Sequence, residues 1–232
     1  FVYTILRALA DETGIPTRWT YAKHIDEFIF FGTNPVGALQ DRFFTPADVS
    51  WLDWAAVLVH WSFFIIPHAV AVAIFVWRRP QFPRYALVVA GTMWLGLVLF
   101  YLVPTAPPWL VASTGESPNV FRVMDFVGGQ VDPETYKEFY ATLGEPNSVA
   151  AMPSIHEGVI FAMFLWAFTY ERRLSPLFLA YAVVTGISLV FLGEHYVIDL
   201  LVGAAAASLC WYVVLRYSPE PSPTFASGDR PG

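Results

Sequence analysis

Charged side chains are scarce in this sequence of 232 residues. Asp, Glu, Lys and Arg make up 14 % of it, whereas soluble domains carry about 25 %. Since so few charges cannot cover the surface of a water-soluble protein of this length, that class is excluded. The 20 Phe and nine Trp also exclude a disordered chain, because they supply far too much apolar surface to remain in water.

Basic residues and cysteine are also few. Thirteen Lys and Arg against 19 Asp and Glu give a net charge of −6, which argues against a nucleic-acid partner. The single cysteine, Cys210, excludes an internal disulfide bond. What the sequence does contain is apolar residues, at 56 % of the chain, and this composition indicates an integral membrane protein.

Long apolar runs follow one another from residue 54 onward. A helix that crosses a bilayer needs about 20 apolar residues. Four runs reach or approach this length, and a fifth, shorter run is followed by two arginines whose long side chains can reach the bilayer boundary. The sequence therefore predicts an all-α integral membrane helix bundle with five visible spans: Trp54–Trp77, Tyr85–Val103, Ile155–Tyr170, Leu174–Leu192 and Tyr196–Leu215.

The arginines indicate how this bundle is oriented, because basic residues favour the cytoplasmic side. The segment 104–153 and the turn 192–195 are then extracytoplasmic, and the segment is expected to be partly helical and to cap the bundle. Residues 11–53 must also lie outside, so an upstream span that ends within Phe1–Ala10 would give the intact protein six spans. The arginines follow the first, third and last visible spans: Arg78, Arg79, Arg84, Arg172, Arg173 and Arg216.

Three regions follow from this pattern. Residues 1–53 are expected to contain the N-terminal end of a span and an interfacial or extracytoplasmic segment. Within it, 19–31 is typical of a helix lying in the membrane interface, with a surface loop as the alternative. Residues 54–215 form the membrane domain that carries the chemistry. Residues 216–232 are predicted to be a disordered cytoplasmic tail, because they are rich in proline and lack an apolar period.

Two histidines and an aspartate are candidate functional residues, because polar side chains at a bilayer are costly. His195 follows an outer turn, and Asp199 lies one helical turn further on, on the same face. A carboxylate there can accept the proton of one ring nitrogen and leave the other as a nucleophile. His156 follows Ser154, which is suited to cap a helix. Both histidines thus lie at helix N-termini, which attract anions, and the pair suits attack on a phosphate ester and protonation of its leaving oxygen.

Two other interpretations of these residues stay open at this point. A single histidine near the membrane boundary is often structural. His156, His195 and Asp199 could instead bind zinc, since imidazole and carboxylate are zinc ligands. The sequence after His156 lacks the second histidine of the zinc-protease pattern H-E-x-x-H. We therefore expect no metal and no other cofactor.

The motifs P-S-I-H at 153–156 and H-Y-V-I-D at 195–199, separated by one further span, resemble those of the type 2 phosphatidic acid phosphatase superfamily. The resemblance runs from about residue 54 to residue 215, and it implies phosphate transfer through a phosphohistidine. On that pattern His195 would carry the phosphoryl group, Asp199 would orient it, and His156 would protonate the departing alcohol.

The sequence departs from the common phosphatase branch of that superfamily. The first motif of that branch is K-x6-R-P, and this sequence has Val72 in place of its lysine. The last motif of the branch contains an arginine, and this sequence has Leu189 at that position. The stretches P-T-A-P-P-W at 104–109 and N-S-V-A-A-M-P-S-I-H at 147–156 are similar instead to inositol phosphorylceramide synthases and their bacterial relatives. Those enzymes transfer a phospho-headgroup between lipids.

Candidate substrate-binding residues follow from these motifs. Bacterial relatives often carry arginine at the position of Trp109, so Arg122 and Lys137 are the cations left on the outer segment, with solvated loop charges as the alternative. His60 lies in the outer part of the first span, where it could contact a headgroup or pack in the bundle. His68 could also face the bundle interior. The predicted substrate-binding set is Ser154, Arg122, Lys137, Asn147, Trp109 and His60.

The function expected from the sequence is transfer of a phosphoryl group or phospho-headgroup at the extracytoplasmic face of the cell membrane. The donor would be a lipid phosphate and the acceptor a lipid or small alcohol. With water as the acceptor, the protein would instead be a lipid phosphate or polyprenyl diphosphate phosphatase. A non-enzymatic alternative is a transporter or membrane subunit in which the His–Asp pair relays protons or binds a lipid.

Overall fold

The computed structural model describes residues 2–12, 14–117, 119–131 and 147–218, together with Glu134 and Glu138. These residues form α-helices and two isolated β-bridges, which confirms the predicted all-α membrane bundle. The predictions for Lys137 and for residues 219–232 fall outside the described residues. The helices are α1 Val2–Ala8, α2 Tyr21–Ile29, α3 Pro35–Phe43, α4 Trp51–Ser62, α5 Ile66–Trp77, α6 Phe82–Leu102, α7 Pro108–Ala112, α8 Val123–Val131, α9 Ile155–Tyr170, α10 Ser175–Phe191 and α11 Val197–Tyr217.

Three stretches of the described chain are long and apolar enough to cross a bilayer: Trp51–Trp77, Arg79–Leu102 and Val197–Tyr217. The shorter apolar helices α9 and α10 pack with them, and α9 contacts α6, α10 and α11. All five predicted apolar segments are thus helical, with boundaries shifted by a few residues at most. The helix α9 begins and ends at the predicted residues.

The first span consists of two helices, where the sequence suggested one. The helix α4 ends at Ser62 and α5 begins at Ile66, with a turn at Phe63–Ile65 between them. Pro67 gives the physical reason, because a proline has no N–H for the preceding turn and its ring clashes with the carbonyl four residues earlier. The turn therefore ends one helix and starts the next.

This break separates the two histidines of the first span. His60 is buried within the bundle, whereas His68 is exposed on α5. The expectation that His68 faces the bundle interior is wrong, because it assumed a continuous helix from one histidine to the other. Only His60 is directed toward the functional end of the bundle, as described below.

The helices α9 and α11 cross in direct backbone contact at two glycines. A Cβ atom at Gly203 would lie 2.2 Å from the backbone oxygen of Ser154, and one at Gly158 would lie 3.1 Å from the backbone oxygen of Gly203. Small residues are what allow helix backbones to approach this closely. The N–H of Ser154 also donates to the carbonyl of Asp199 at 2.9 Å. The starts of the two helices are therefore joined, and each start carries one of the candidate histidines.

Loop segments from three parts of the chain close this end of the bundle. Thr105 pairs with residues 149–151, since its N–H donates to Val149 at 2.7 Å and its carbonyl accepts from Ala151 at 3.1 Å. Arg18 pairs with the other side of the stretch around Thr105, because its N–H donates to the carbonyl of Pro104 and its carbonyl accepts from the N–H of Ala106. The outer segment also contains α7 and α8, so it is partly helical as predicted.

Gln40, in α3, holds the turn that precedes His195. Its amide nitrogen donates to the carbonyls of Phe121 at 2.9 Å and Phe191 at 2.8 Å, and its amide oxygen accepts from the N–H of Phe121 at 2.8 Å. Gly193, in the turn itself, has a φ of +79°, a conformation that favours glycine. The turn is thereby fixed against the outer segment just before the histidine.

Candidate active site

His195 precedes α11, and Asp199 lies in the first turn of that helix. The Nδ1 atom of His195 lies 3.4 Å from Oδ2 of Asp199, and both side chains are buried. The two groups are close, but Nδ1 has no aligned hydrogen bond among the described residues. The same Oδ2 accepts from the N–H of Tyr196 at 2.8 Å, which holds the carboxylate in place. Nε2 of His195 is therefore the nitrogen left for a substrate.

A second carboxylate, which the sequence did not single out, holds the start of α11. Asp26 of α2 is fully buried and accepts from the N–H groups of Val197 at 2.7 Å and Ile198 at 2.9 Å. The first N–H groups of a helix have no partner within the helix, so this carboxylate supplies one. Burial raises the pKa of Asp26 to about 6, the two hydrogen bonds oppose that rise, and the nearby Asp199 adds to it.

His156 lies in the first turn of α9, and Ser154 is the N-cap of that helix, as the sequence suggested. The Ser154 hydroxyl accepts from the N–H of Glu157 at 3.4 Å. Ser154 is fully buried and is not among the described residues that line the cavity. Its position is that of a helix cap beneath the site, and its contact with substrate stays a prediction. The rings of His156 and His195 have centroids 5.9 Å apart.

His60 brings a third imidazole to this place. Its Nε2 atom lies 3.4 Å from Nε2 of His156, and its Nδ1 atom lies 3.1 Å from the sulfur of Met124. A hydrogen bond between the two Nε2 atoms requires one ring to carry the proton there and the other to accept it. The ring of Phe63, in the turn that breaks the first span, packs against His156 with centroids 4.5 Å apart. The break therefore places side chains of the first span against His156.

The three histidines line one cavity of about 210 Å³. Its wall combines aromatic rings, two arginines, one carboxylate and one carboxamide: Trp61, Phe64, Trp109, Arg7, Arg122, Glu194 and Asn147.

Arg122 and Trp109 lie together on the cavity wall. The guanidinium of Arg122 lies 4.5 Å from the centre of the Trp109 ring, in a cation–π contact. Its Nε also donates to Oε1 of Glu194 at 2.8 Å. The tryptophan that ends the P-T-A-P-P-W stretch thus carries no charge itself but supports an arginine from elsewhere in the outer segment. Part of that arginine's charge is balanced by Glu194.

Asn147 connects two segments of the cavity wall. Its Nδ2 donates to the backbone carbonyl of Arg7 at 3.2 Å, and its Oδ1 accepts from the N–H of Val149 at 2.8 Å. Both ends of the carboxamide are therefore bound to backbone. Arg7 also lines the cavity, although the sequence gave no sign of this beyond one charge in an otherwise apolar stretch.

The structure thus brings most of the predicted site residues into one place. The catalytic candidates lie together, and four of the predicted binding residues line the cavity beside them. Asp26 and Arg7 are additions that only the fold reveals. The predicted residues found at the site are His156, His195, Asp199, His60, Trp109, Arg122 and Asn147.

Known proteins resemble this chain over most of its length. The family model described as the PAP2 superfamily matches residues 31–213. The catalytic subunit of inositol phosphorylceramide synthase from Saccharomyces cerevisiae is 29 % identical over 198 residues, which cover 83 % of this chain and 47 % of that protein. The inositol phosphorylceramide synthase of Candida albicans is 28 % identical, covering 95 % of this chain and 48 % of that protein.

A bacterial protein is similar as well. The phosphoinositol dihydroceramide synthase of Bacteroides thetaiotaomicron is 27 % identical over 141 residues, which cover 58 % of this chain and 46 % of that protein. The chain thus spans about half the length of the curated relatives it matches. No solved structure gives a significant match.

Proposed function

Because this chain belongs to the PAP2 superfamily, we propose that it is a membrane enzyme that moves a phospho-headgroup, such as inositol phosphate, from one lipid to another. The observation that carries the proposal is the pair of imidazoles at one cavity, with centroids 5.9 Å apart and a carboxylate behind one of them. The relatives described above are synthases of inositol phosphorylceramide or phosphoinositol dihydroceramide, which supports a sphingoid acceptor.

The first step transfers the headgroup phosphate from the donor lipid to His195. Its Nε2 attacks phosphorus, a P–N bond forms, and the bond from phosphorus to the lipid alcohol oxygen breaks. His156 donates a proton to that departing oxygen. Asp199 faces Nδ1, where it holds the ring orientation and stabilises the positive charge that develops on the imidazole.

The second step passes the headgroup phosphate to the acceptor. His156, now neutral, takes the proton of the acceptor hydroxyl while its oxygen attacks phosphorus. The P–N bond breaks and His195 is regenerated. His60 supports both steps, because a hydrogen bond to Nε2 of His156 fixes which nitrogen of that ring carries the proton.

The cavity opens on the extracytoplasmic face in this proposal. The arginine-bearing connections support that orientation, because they meet one another at the opposite end of the bundle. Arg78 forms an ion pair with Glu171, and Arg84 donates both to the hydroxyl of Tyr170 and to the carbonyl of Ser218. These contacts join the connections after the first and third spans and the end of α11, where positive charge favours the cytoplasm.

The membrane domain of residues 54–215 supplies the two catalytic histidines and their aspartate. Residues 1–53 belong to the same working unit, because Asp26 holds the start of the helix that carries Asp199. Arg122, resting on Trp109, faces the substrate phosphate from the outer segment.

A transfer assay tests the function. The purified protein would be reconstituted with phosphatidylinositol and a fluorescent ceramide, and the products identified by thin-layer chromatography and mass spectrometry. A fluorescent ceramide that gains the inositol phosphate, with release of diacylglycerol, is the expected result. Release of free inositol phosphate and diacylglycerol without transfer would indicate that water is the acceptor and that the protein is a hydrolase. Stoichiometric lipid binding without any turnover would overturn the proposal in favour of a non-enzymatic protein.

The roles of the histidines are tested with a donor whose leaving group needs little protonation. His195→Ala should lose essentially all turnover on any donor, and Asp199→Asn about 10⁴-fold by comparison with a serine triad. His156→Ala should lose about 10²–10⁴-fold on a lipid and recover much of it on a nitrophenyl phosphate ester. A phosphoenzyme that persists in His195→Ala would show that the roles are assigned wrongly.

A further inference from the structure

Arg7 points into the cavity with its charge unbalanced by the residues that the structure describes. Its side chain lines the same cavity as His156 and His195. Its Nε atom is buried and has no hydrogen-bond acceptor among the described residues, and none of their carboxylates forms an ion pair with its guanidinium. A charged group that lacks acceptors is unfavourable, so an anion in the cavity beside this guanidinium would stabilise it.

Arg122 differs from Arg7 in this respect. Its guanidinium already contacts Glu194 at 2.8 Å and Asp125 at 3.9 Å, and it rests on the ring of Trp109. The cavity wall therefore presents two guanidinium groups and a single carboxylate, Glu194, among the described residues. Two guanidinium groups and one carboxylate leave one positive charge on the cavity wall, which matches the single negative charge of a phosphate diester.

The helix that carries Arg7 is held firmly against α6. The ring of Tyr3 packs edge-on against Trp94, with centroids 6.3 Å apart, and the hydroxyl of Tyr101 donates to the carbonyl of Leu6 at 2.7 Å. On the cavity side, Asn147 donates to the carbonyl of Arg7 itself. Contacts on both sides of the helix thus fix the backbone that carries the Arg7 side chain, which favours a preorganised binding group.

We propose that Arg7 binds the phosphate of the transferred headgroup. It would supply positive charge that this chain lacks at Leu189, from a helix outside the motifs that identify the site. The inference rests on the proposed function, because that function makes the anion a phosphate group. The recognised chemistry is a phosphate or phosphate ester, whether free or part of a lipid.

The direct test measures anion affinity without turnover. Orthovanadate and inorganic phosphate would be titrated into the detergent-solubilised protein by calorimetry, and phosphatidylinositol would be titrated in mixed micelles. Arg7→Gln keeps a polar group of moderate size but no charge, and it should weaken vanadate affinity about 10- to 100-fold, as expected for loss of a charged hydrogen bond. The vanadate affinity of Arg7→Lys should lie between that of Arg7→Gln and that of the wild type. Arg42→Ala, which removes an exposed arginine of α3, should bind as the wild type does.

The outcomes separate this inference from the proposed function. If Arg7→Gln and Arg7→Lys bind vanadate and phosphatidylinositol as tightly as the wild type, Arg7 is not a phosphate-binding residue, whatever the transfer assay gives. If Arg7→Gln weakens both anions but the wild type transfers no headgroup, the anion site stands and the enzymatic proposal falls. Weakening for phosphatidylinositol alone restricts the site to the lipid headgroup, and weakening for both extends it to free phosphate.

A structural role for Arg7 would give a different signature. If the arginine only stabilises α1, both variants should lower the melting temperature, and the loss of vanadate affinity should be equal for Arg7→Lys and Arg7→Gln. That equality would overturn the inference, because phosphate binding depends on the charge that lysine retains.

Discussion

Replacement of Gly203 by alanine should slow transfer strongly while the bundle stays folded. The new Cβ would lie 2.2 Å from the backbone oxygen of Ser154 and 3.3 Å from the backbone nitrogen of Gly158. Carbon–oxygen contacts in proteins are ordinarily about 3.3–3.6 Å. Because both neighbours are backbone atoms, neither can rotate away, and α9 and α11 must separate by roughly 1 Å to restore a normal contact.

The size of the effect follows from what the two helices carry. His156 lies at the start of α9 and His195 just before α11, so a separation of the helices changes the distance between the two imidazoles. A misplacement of about 1 Å can reduce the rate about 10²-fold. Overpacking costs about 1–3 kcal/mol of stability, and the better helix propensity of alanine offsets up to about 1 kcal/mol of it.

The assay compares kcat and the melting temperature in detergent for Gly203→Ala and a matched control. Gly129→Ala is that control, because a Cβ at this helical position meets no described atom within 4 Å. The control should keep its kcat, whereas Gly203→Ala should lose about 10²-fold with little change in KM. Full activity in Gly203→Ala would refute the view that this crossing sets the distance between the histidines.

Three further predictions concern pH, topology and metals. Burial raises the pKa of Asp26 from 3.8 to about 6, so the folded protein holds this proton more tightly than the unfolded chain. As the pH is raised from 4 to 6, the melting temperature should therefore fall, and above pH 6 it should stay level. The variant Asp26→Asn should show no such fall. An equal fall in the variant would show that another group is responsible. In a chain without Cys210, cysteine at Gly115 should react with an impermeant thiol reagent from outside, and cysteine at Arg173 should not; reversed labelling would place the cavity on the cytoplasmic side. Transfer should survive EDTA, because histidine chemistry needs no divalent ion, and loss that zinc or magnesium restores would contradict this.

The helices and the motif residues were predictable because they depend on local properties. Span positions follow from apolar runs, and the relation of His195 to Asp199 follows from one turn of helix. The capping role of Ser154 is likewise local, since its hydroxyl reaches an N–H three residues further on. Each of these features lies within a short stretch of sequence, where the geometry of a helix leaves little freedom.

The remaining features depend on contacts between distant segments. Asp26 meets Val197 across 171 residues, and no pattern around either residue shows that they pair. The contact of Arg122 with Trp109 depends on how the outer segment folds back on itself. The exposure of His68 was mispredicted, because the effect of Pro67 on the direction of the following helix can be seen only in the fold.

The contact of Asp26 with the start of α11 has a consequence for the synthesis of the protein. Asp26 leaves the ribosome 171 residues before Val197, its partner, and at 5–20 residues per second this is a delay of roughly 10 to 30 s. During that interval the earlier helices are already entering the membrane among its lipids. The nascent chain cannot hold the proposed nucleophile, His195, in position until α11 has emerged and Asp26 has bound the first N–H groups of that helix. The proposed active site can therefore be completed only after α11 has been synthesised and Asp26 accepts from its first N–H groups.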